Sequence, residues 1–291
     1  MINRIILLLK GMAMGGADVI PGVSGGTIAL ITGIYDQLIN SIRSIDASLI
    51  KPILKFQFGF VWQRVNGSFL VNVFAGVLIS IFSLARIITY LLVNHPILIW
   101  SFFFGLIFIS VYFVLPKGMT WKDFIAFVAG TGLAYVITSA SPADTTNELW
   151  FIFVSGSIAI CAMILPGISG SFILLLLGKY DFVLGAVKEF DLKIIAVFAV
   201  GCIVGIISFS KLIHWLLKHY RSVSLAVLSG FMLGSLNKIW PWKVDGLNVL
   251  PSAYEEAFNS SSNVVAGALL MLLGILTVVL LEWTGKSIQK R

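Results

Sequence analysis

The sequence predicts an all-α polytopic membrane protein of two inverted-topology repeats, each a broken Gly/Pro hairpin followed by three transmembrane helices. Three observations predict it: an apolar and charge-poor composition, two apolar runs interrupted by proline and clustered glycine, and self-similarity between the two halves. Of 291 residues, 58% are hydrophobic and 11% charged, where a soluble domain carries about a quarter charged residues. With a mean hydropathy of +1.00, the chain has more apolar surface than one core could hide, so lipid must solvate much of it. The formal charge of +7 then reads as basic loops on the cytoplasmic side, and nucleic-acid binding is not expected. Cys161 and Cys202 lie inside apolar stretches and read as small buried hydrophobes. The Ile5–Leu9 run before Lys10 is shorter than the roughly 7 to 15 apolar residues of a signal peptide, so no cleaved leader is expected.

Five stretches are apolar enough to span alone, at about 71–93, 97–115, 194–217, 222–240 and 264–282, and a sixth at 124–140 is slightly short. The runs 11–42 and 150–187 differ. Each is broken at its middle, by Pro21-Gly22-Val23-Ser24-Gly25-Gly26-Thr27 and by Pro166-Gly167-Ile168-Ser169-Gly170-Ser171. If each broken run returns to its own side and the N-terminus is cytoplasmic, thirteen basic residues fall inside and five outside. That satisfies the positive-inside rule with both termini cytoplasmic. A single crossing by the first run would expose Arg43, Lys51, Lys55 and Arg64 outside, so the fold-back is preferred. The charges do not separate a re-entrant loop from two complete helices.

The repeat is visible by sliding the chain against itself. At an offset of 145, Pro21-Gly22-x-Ser24-Gly25 meets Pro166-Gly167-x-Ser169-Gly170, and Gly33-x-Tyr35-Asp36 meets Gly178-x-Tyr180-Asp181. At an offset of 125, Gly76 meets Gly201, Arg86 meets Lys211 and Gly105 meets Gly230. The difference of 20 marks an extra stretch between about 43 and 68 in the first copy. The repeats are therefore 1–145 and 146–291. Three crossings per copy is odd, so the second copy sits upside down, an arrangement that places a transporter's site near the midplane where the copies meet.

Each Pro-Gly-x-Ser-Gly turn exposes backbone N–H groups beside hydroxyls, a chemistry suited to an oxyanion. The expected phosphate-binding residues are Gly22, Ser24, Gly25, Gly26, Thr27, Gly167, Ser169, Gly170 and Ser171. Arg86 and Lys211, symmetric cations inside apolar runs, are expected to neutralise the charge; snorkelling to the interface is the alternative. Asp18, which meets Met163 in the other copy, is a candidate coupling residue or a partner for Arg86. Asp36, Asp181 and His214 are weaker candidates for coupling or gating. No metal constellation, nucleotide phosphate loop or catalytic Ser/His/acid set is apparent, so no cofactor and no enzyme activity are expected.

The stretch from Gly11 to Thr27, followed by Gly33-Ile-Tyr-Asp36 and echoed by Leu165-Pro-Gly-Ile-Ser-Gly-Ser171 and Gly178-Lys-Tyr-Asp181, resembles the bacterial polyprenyl-phosphate transporter family PopT, over essentially the whole chain. The resemblance implies a cytoplasmic-membrane protein that moves undecaprenyl phosphate, the carrier lipid of cell-wall synthesis, from the outer to the inner leaflet for reuse. Proton, sodium or simple downhill coupling would all suit the sequence. A transporter or channel for a small soluble anion could use the same turns and cations, and remains the alternative.

Overall fold

The computed structural model describes residues 2–20 and 22–289; Pro21 of the first turn and the terminal Lys290 and Arg291 lie outside the described residues. The chain is almost entirely helical: α1 (Ile2–Asp18), α2 (Gly25–Ile31), α3 (Tyr35–Arg43), α4 (Ile50–Leu54), α5 (Phe58–Arg64), α6 (Gly67–Asn94), α7 (Pro96–Val114), α8 (Trp121–Ser139), α9 (Leu149–Ile164), α10 (Gly170–Leu176), α11 (Tyr180–Lys188), α12 (Leu192–His219), α13 (Arg221–Ser235), α14 (Pro251–Phe258) and α15 (Val264–Gln289). The described strands form one two-residue ladder, β1 (Lys243–Val244) with β2 (Leu247–Asn248). Asp245 and Gly246, both with positive φ, turn it in the way a two-residue hairpin requires.

Three pairs of corresponding elements have equal lengths in the two halves. α2 and α10 each have 7 residues, α3 and α11 each 9, and α6 and α12 each 28. Gly22 and Gly167 share a φ of 88°. One residue links α6 to α7 and one links α12 to α13, His95 at φ −137°, ψ 51° and Tyr220 at φ −134°, ψ 48°. The extra stretch between 43 and 68 contains α4 and α5.

α6, α7, α12 and the Val264–Trp283 part of α15 are each long and apolar enough to cross a bilayer, and the pair α10–α11, bent by 106°, adds a fifth span if counted as one. A seven-residue helix rises only about 10 Å, a third of the hydrocarbon core, so neither α2 nor α10 is long enough to cross by itself. The expected span 222–240 is corrected: α13 stops at Ser235 after 15 residues. Lys238 N–H then bonds Ser235 O at 2.9 Å and the chain coils through Pro241 into β1, because Asn237, Lys238 and a proline cannot prolong an apolar helix.

Small residues set the packing. α1 lies along α6 so closely that a Cβ on Gly76 would stand 2.1 Å from Leu8 O, and a Cβ on its repeat partner Gly201 would stand 2.2 Å from Phe153 O as α9 lies along α12. The later helices pack across the two halves: α7 lies on α15, and α13 lies on α8. Gly105 meets Met271 O and Gly230 meets Phe127 O in the same manner. The four helices α7, α8, α13 and α15 thus interlace both halves. Beside them, α1 packs with α2 and α6, and α9 packs with α10 and α12, while α3 packs on α12 of the other half more than on its own α6.

Candidate functional site

The two broken turns meet. Gly167 N–H donates to Thr27 Oγ1 at 2.9 Å, Gly22 N–H to Ser169 Oγ at 3.5 Å, and Ser24 Oγ–H to Met163 O at 3.1 Å. Ser24 and Thr27 are fully buried, and Ser169 nearly so. Locally, the hydroxyls also begin the short helices: Ser24 Oγ accepts from Gly26 N–H at 3.1 Å and Ser169 Oγ from Phe172 N–H at 3.2 Å. Ser171 Oγ lies 3.2 Å from Ser169 Oγ and is half-buried, at the edge of the junction. Two glycines are required by close approach. A Cβ on Gly26 would stand 2.6 Å from Ile164 O, and one on Gly170 2.7 Å from Ala159 O. The backbone donors expected for an anion are therefore largely engaged, and they knit one turn to the other.

Asp18 ends α1 and its Oδ1 accepts from Gly25 N–H at 2.6 Å, so the carboxylate ties the last turn of α1 to the start of α2. A Cβ on Gly25 would stand 2.6 Å from Asp18 Oδ2, so a larger residue there would displace the carboxylate.

Two cations, Lys238 and Lys243, which the charge count places among the five on the outer side, lie near the junction. Lys238 follows the early end of α13, and its aliphatic stem lies against Gly22, where a Cβ would stand 2.9 Å from Cγ. Its ammonium sits 4.5 Å from the ring centroid of Phe172, in α10. Lys243 Nζ donates to Lys238 O and stands 5.6 Å from the Trp100 ring centroid on α7. Both lysines are half-buried. Burial pushes the Lys243 ammonium down to about 8, with repulsion from Lys238 as the second cause. The rings of Phe104, Trp240 and Trp242 continue this wall, centroids 5.5 and 5.6 Å apart. The available signal was Asn237-Lys-Ile-Trp-Pro-Trp-Lys243, cations alternating with aromatics at a helix-ending proline.

The other expected residues lie elsewhere. Arg86 is exposed on α6, and among the described residues no hydrogen bond or ion pair joins it or Lys211 to either turn. Lys211 lines a cleft with Arg43 and Arg64. The physical reason is helix length: 28 residues rise about 42 Å, so a residue eight from the end can snorkel past a 30 Å core. Asp36 pairs with Arg221 at 2.8 Å, joining α3 to α13. Asp181 is exposed in the first turn of α11, and His214 lines the cavity beside Asp36, Lys218 and Arg221. Among the described residues no cluster of His, Cys, Asp and Glu could hold a metal ion.

Apolar spanning helices, a bent hairpin pair and paired hydroxyl-bearing turns flanked by half-buried cations define the chain as a multi-pass membrane protein of transporter type. Residues 14–256 match the family described as VCA0040-like, undecaprenyl phosphate translocase-like, and the chain belongs to it. A relative from Vibrio cholerae serotype O1, named polyprenyl-phosphate transporter, is 53% identical over 243 residues, covering 83% of this chain and 79% of the relative. A relative of the same name from Staphylococcus aureus is 36% identical over 256 residues, covering 81% of this chain and 86% of its own. No solved structure matches.

Proposed function

We propose that this protein carries polyprenyl phosphate, of the undecaprenyl class, from the outer to the inner leaflet of the bacterial cytoplasmic membrane so that the carrier can be reused. The observation that carries the reading is the contact of the two turns, from Gly22 to Ser169 and from Gly167 to Thr27, with the Lys238 stem against Gly22 and the Lys243 ammonium bonded to Lys238 O. The names of the relatives supply the substrate class. The physics agrees: an isoprenoid tail is at home in lipid, whereas an unaided phosphate would face an ideal desolvation cost of tens of kcal/mol. Only the headgroup needs a protein.

Lys238 and Lys243 take the role first expected of Arg86 and Lys211. Each of their ammonium groups stands over an aromatic ring, which suits a charged head joined directly to an apolar chain and favours a lipid over a small soluble anion. The buried hydroxyls and amides of the junction act as the gate. They close it by bonding to each other, and they become available to phosphate oxygens when the turns part. Because α7, α8, α13 and α15 interlace both halves, the moving parts are the hairpin units that flank them and not the sequence halves. The inverted orientation of the two copies and the cytoplasmic placement of both termini follow from the charge count. Asp18, fixed to Gly25, is the candidate for coupling to a proton or sodium gradient.

The test is transbilayer movement of undecaprenyl phosphate in vesicles containing only the purified protein, read by access of the phosphate to an impermeant probe. Faster movement than in empty vesicles is expected. No acceleration under any imposed gradient overturns the reading, and release of trapped inorganic phosphate at a matching rate would transfer the assignment to a soluble anion.

A further inference from the structure

The extra stretch of the first repeat builds a feature that the second repeat lacks. Between α3 and α6 lie residues 44–66, whereas α11 and α12 are separated only by Glu189, Phe190 and Asp191. Together with the C-terminal part of α12, the stretch lines an open cleft of about 520 Å³. Its walls carry Arg43 and Arg64 from the first repeat, Lys211 and Lys218 from α12, the carboxylate of Asp46, and Trp215. Asp46 is the acid among these lining groups and is engaged twice, accepting from Ser48 N–H at 2.9 Å and facing Arg64 at 3.5 Å. Four cations thus face one carboxylate that is already committed. Such an excess creates a positive potential in the cleft that attracts an anion.

The position of the cleft identifies the anion. Phe56, Phe58, Phe60 and Trp62 are exposed on the same stretch, beside Lys51 and Lys55. Exposed aromatics interleaved with lysines anchor a segment at headgroup level. The cleft therefore opens among lipid headgroups. A phosphodiester brings one negative charge, whereas a phosphomonoester approaches two, which fits an excess of three cations better.

We propose that this cleft is a second binding site for the phosphomonoester headgroup of a polyprenyl lipid, separate from the junction of the two turns and located on the basic face of the protein. That the occupant is the transported lipid rests on the transport reading above. Arg43 and Arg64 supply planar forks for the phosphate oxygens, Lys211 and Lys218 supply point charges, and the Trp215 ring meets the first isoprene units. The cleft gives the lipid a station on one side of the membrane without a counterpart at the equivalent place in the other repeat.

The test is native mass spectrometry of the full chain in detergent with farnesyl phosphate, comparing the parent protein with Arg43→Gln/Arg64→Gln/Lys218→Gln and using the thermal midpoint as the check on folding. One fewer farnesyl phosphate per chain is expected in the triple variant, and Arg64→Gln alone should weaken that binding about threefold. Unchanged stoichiometry in the folded triple variant overturns the proposal, as does displacement of farnesyl phosphate by phosphatidylglycerol at equal concentration. Should the triple variant misfold, the single variant decides, and unchanged binding there overturns the proposal. Failure of the transport reading is distinguishable: the parent protein would move no lipid in vesicles while the triple variant still bound one farnesyl phosphate fewer.

Discussion

The amide of Gly167 donates to the hydroxyl of Thr27 at 2.9 Å across 140 residues of chain, and both groups are buried. Each belongs to a glycine turn of a different repeat, so this bond measures directly whether the turns are closed on one another. Thr27→Val keeps the shape and removes the acceptor. A buried amide left without a partner costs about 1–3 kcal/mol, so the thermal midpoint of the purified protein should fall by several degrees. In the transport reading the same variant also loosens the gate. Reconstituted vesicles should then show altered rates even where the protein remains folded, and unaltered rates would mean that this contact takes no part in gating.

Lys238 and Arg86 offer a direct comparison of two cations. Lys238 lies against Gly22 and over Phe172, whereas Arg86 is exposed on α6. Lys238→Gln should reduce polyprenyl-phosphate movement at least tenfold, in line with loss of a charge-assisted contact of about 1.5–3 kcal/mol. Arg86→Gln should reduce it less. The reverse order in vesicle assays would return the cationic role to α6.

This comparison also shows what the sequence could carry. The repeat, the broken hairpins and most of the spans were legible because Pro-Gly-x-Ser-Gly and the glycines at Gly76, Gly105, Gly201 and Gly230 recur at fixed offsets, and because apolar length is a local property. The meeting of the turns, which the hydrogen bonds between Gly167 and Thr27 and between Gly22 and Ser169 display, was an expectation from the recurrence of the motif in both halves. Lys238 was not. Its position depends on α13 ending at Ser235 and on a turn that folds the chain back across Gly22, and both are decided by packing between distant segments. Nor was the placement of Arg86 and Lys211 legible, because apolar surroundings in sequence do not say whether a long side chain reaches past the hydrocarbon.

Asp18 separates a structural role from a coupling role. Its Oδ1 accepts from Gly25 N–H at 2.6 Å. Asp18→Asn retains an acceptor there, and Asp18→Ala does not. The alanine variant should lose about 1–3 kcal/mol of stability, the cost of leaving the Gly25 amide without its partner, while the asparagine variant should melt within a few degrees of the parent. If the carboxylate also couples transport to a cation gradient, Asp18→Asn should move lipid at the same rate with and without an imposed gradient. A gradient response preserved in Asp18→Asn would leave the residue as a tie between α1 and α2.

The pH dependence of headgroup binding follows from Lys243, whose ammonium burial holds down at about 8. The sign is fixed by the charged form. An anion bound beside Lys243 favours the protonated amine and raises its pKa, so binding is strongest below about 8 and declines as pH rises through that value. On the acid side, a phosphomonoester loses its second charge below about 6, which weakens binding there as well. Affinity for farnesyl phosphate should therefore peak between about 6 and 8. Lys243→Arg, charged at every pH in this range, should hold its affinity on the alkaline side. Titration of both proteins by calorimetry from pH 5 to pH 10 checks the point, and parallel alkaline declines would remove Lys243 from the site.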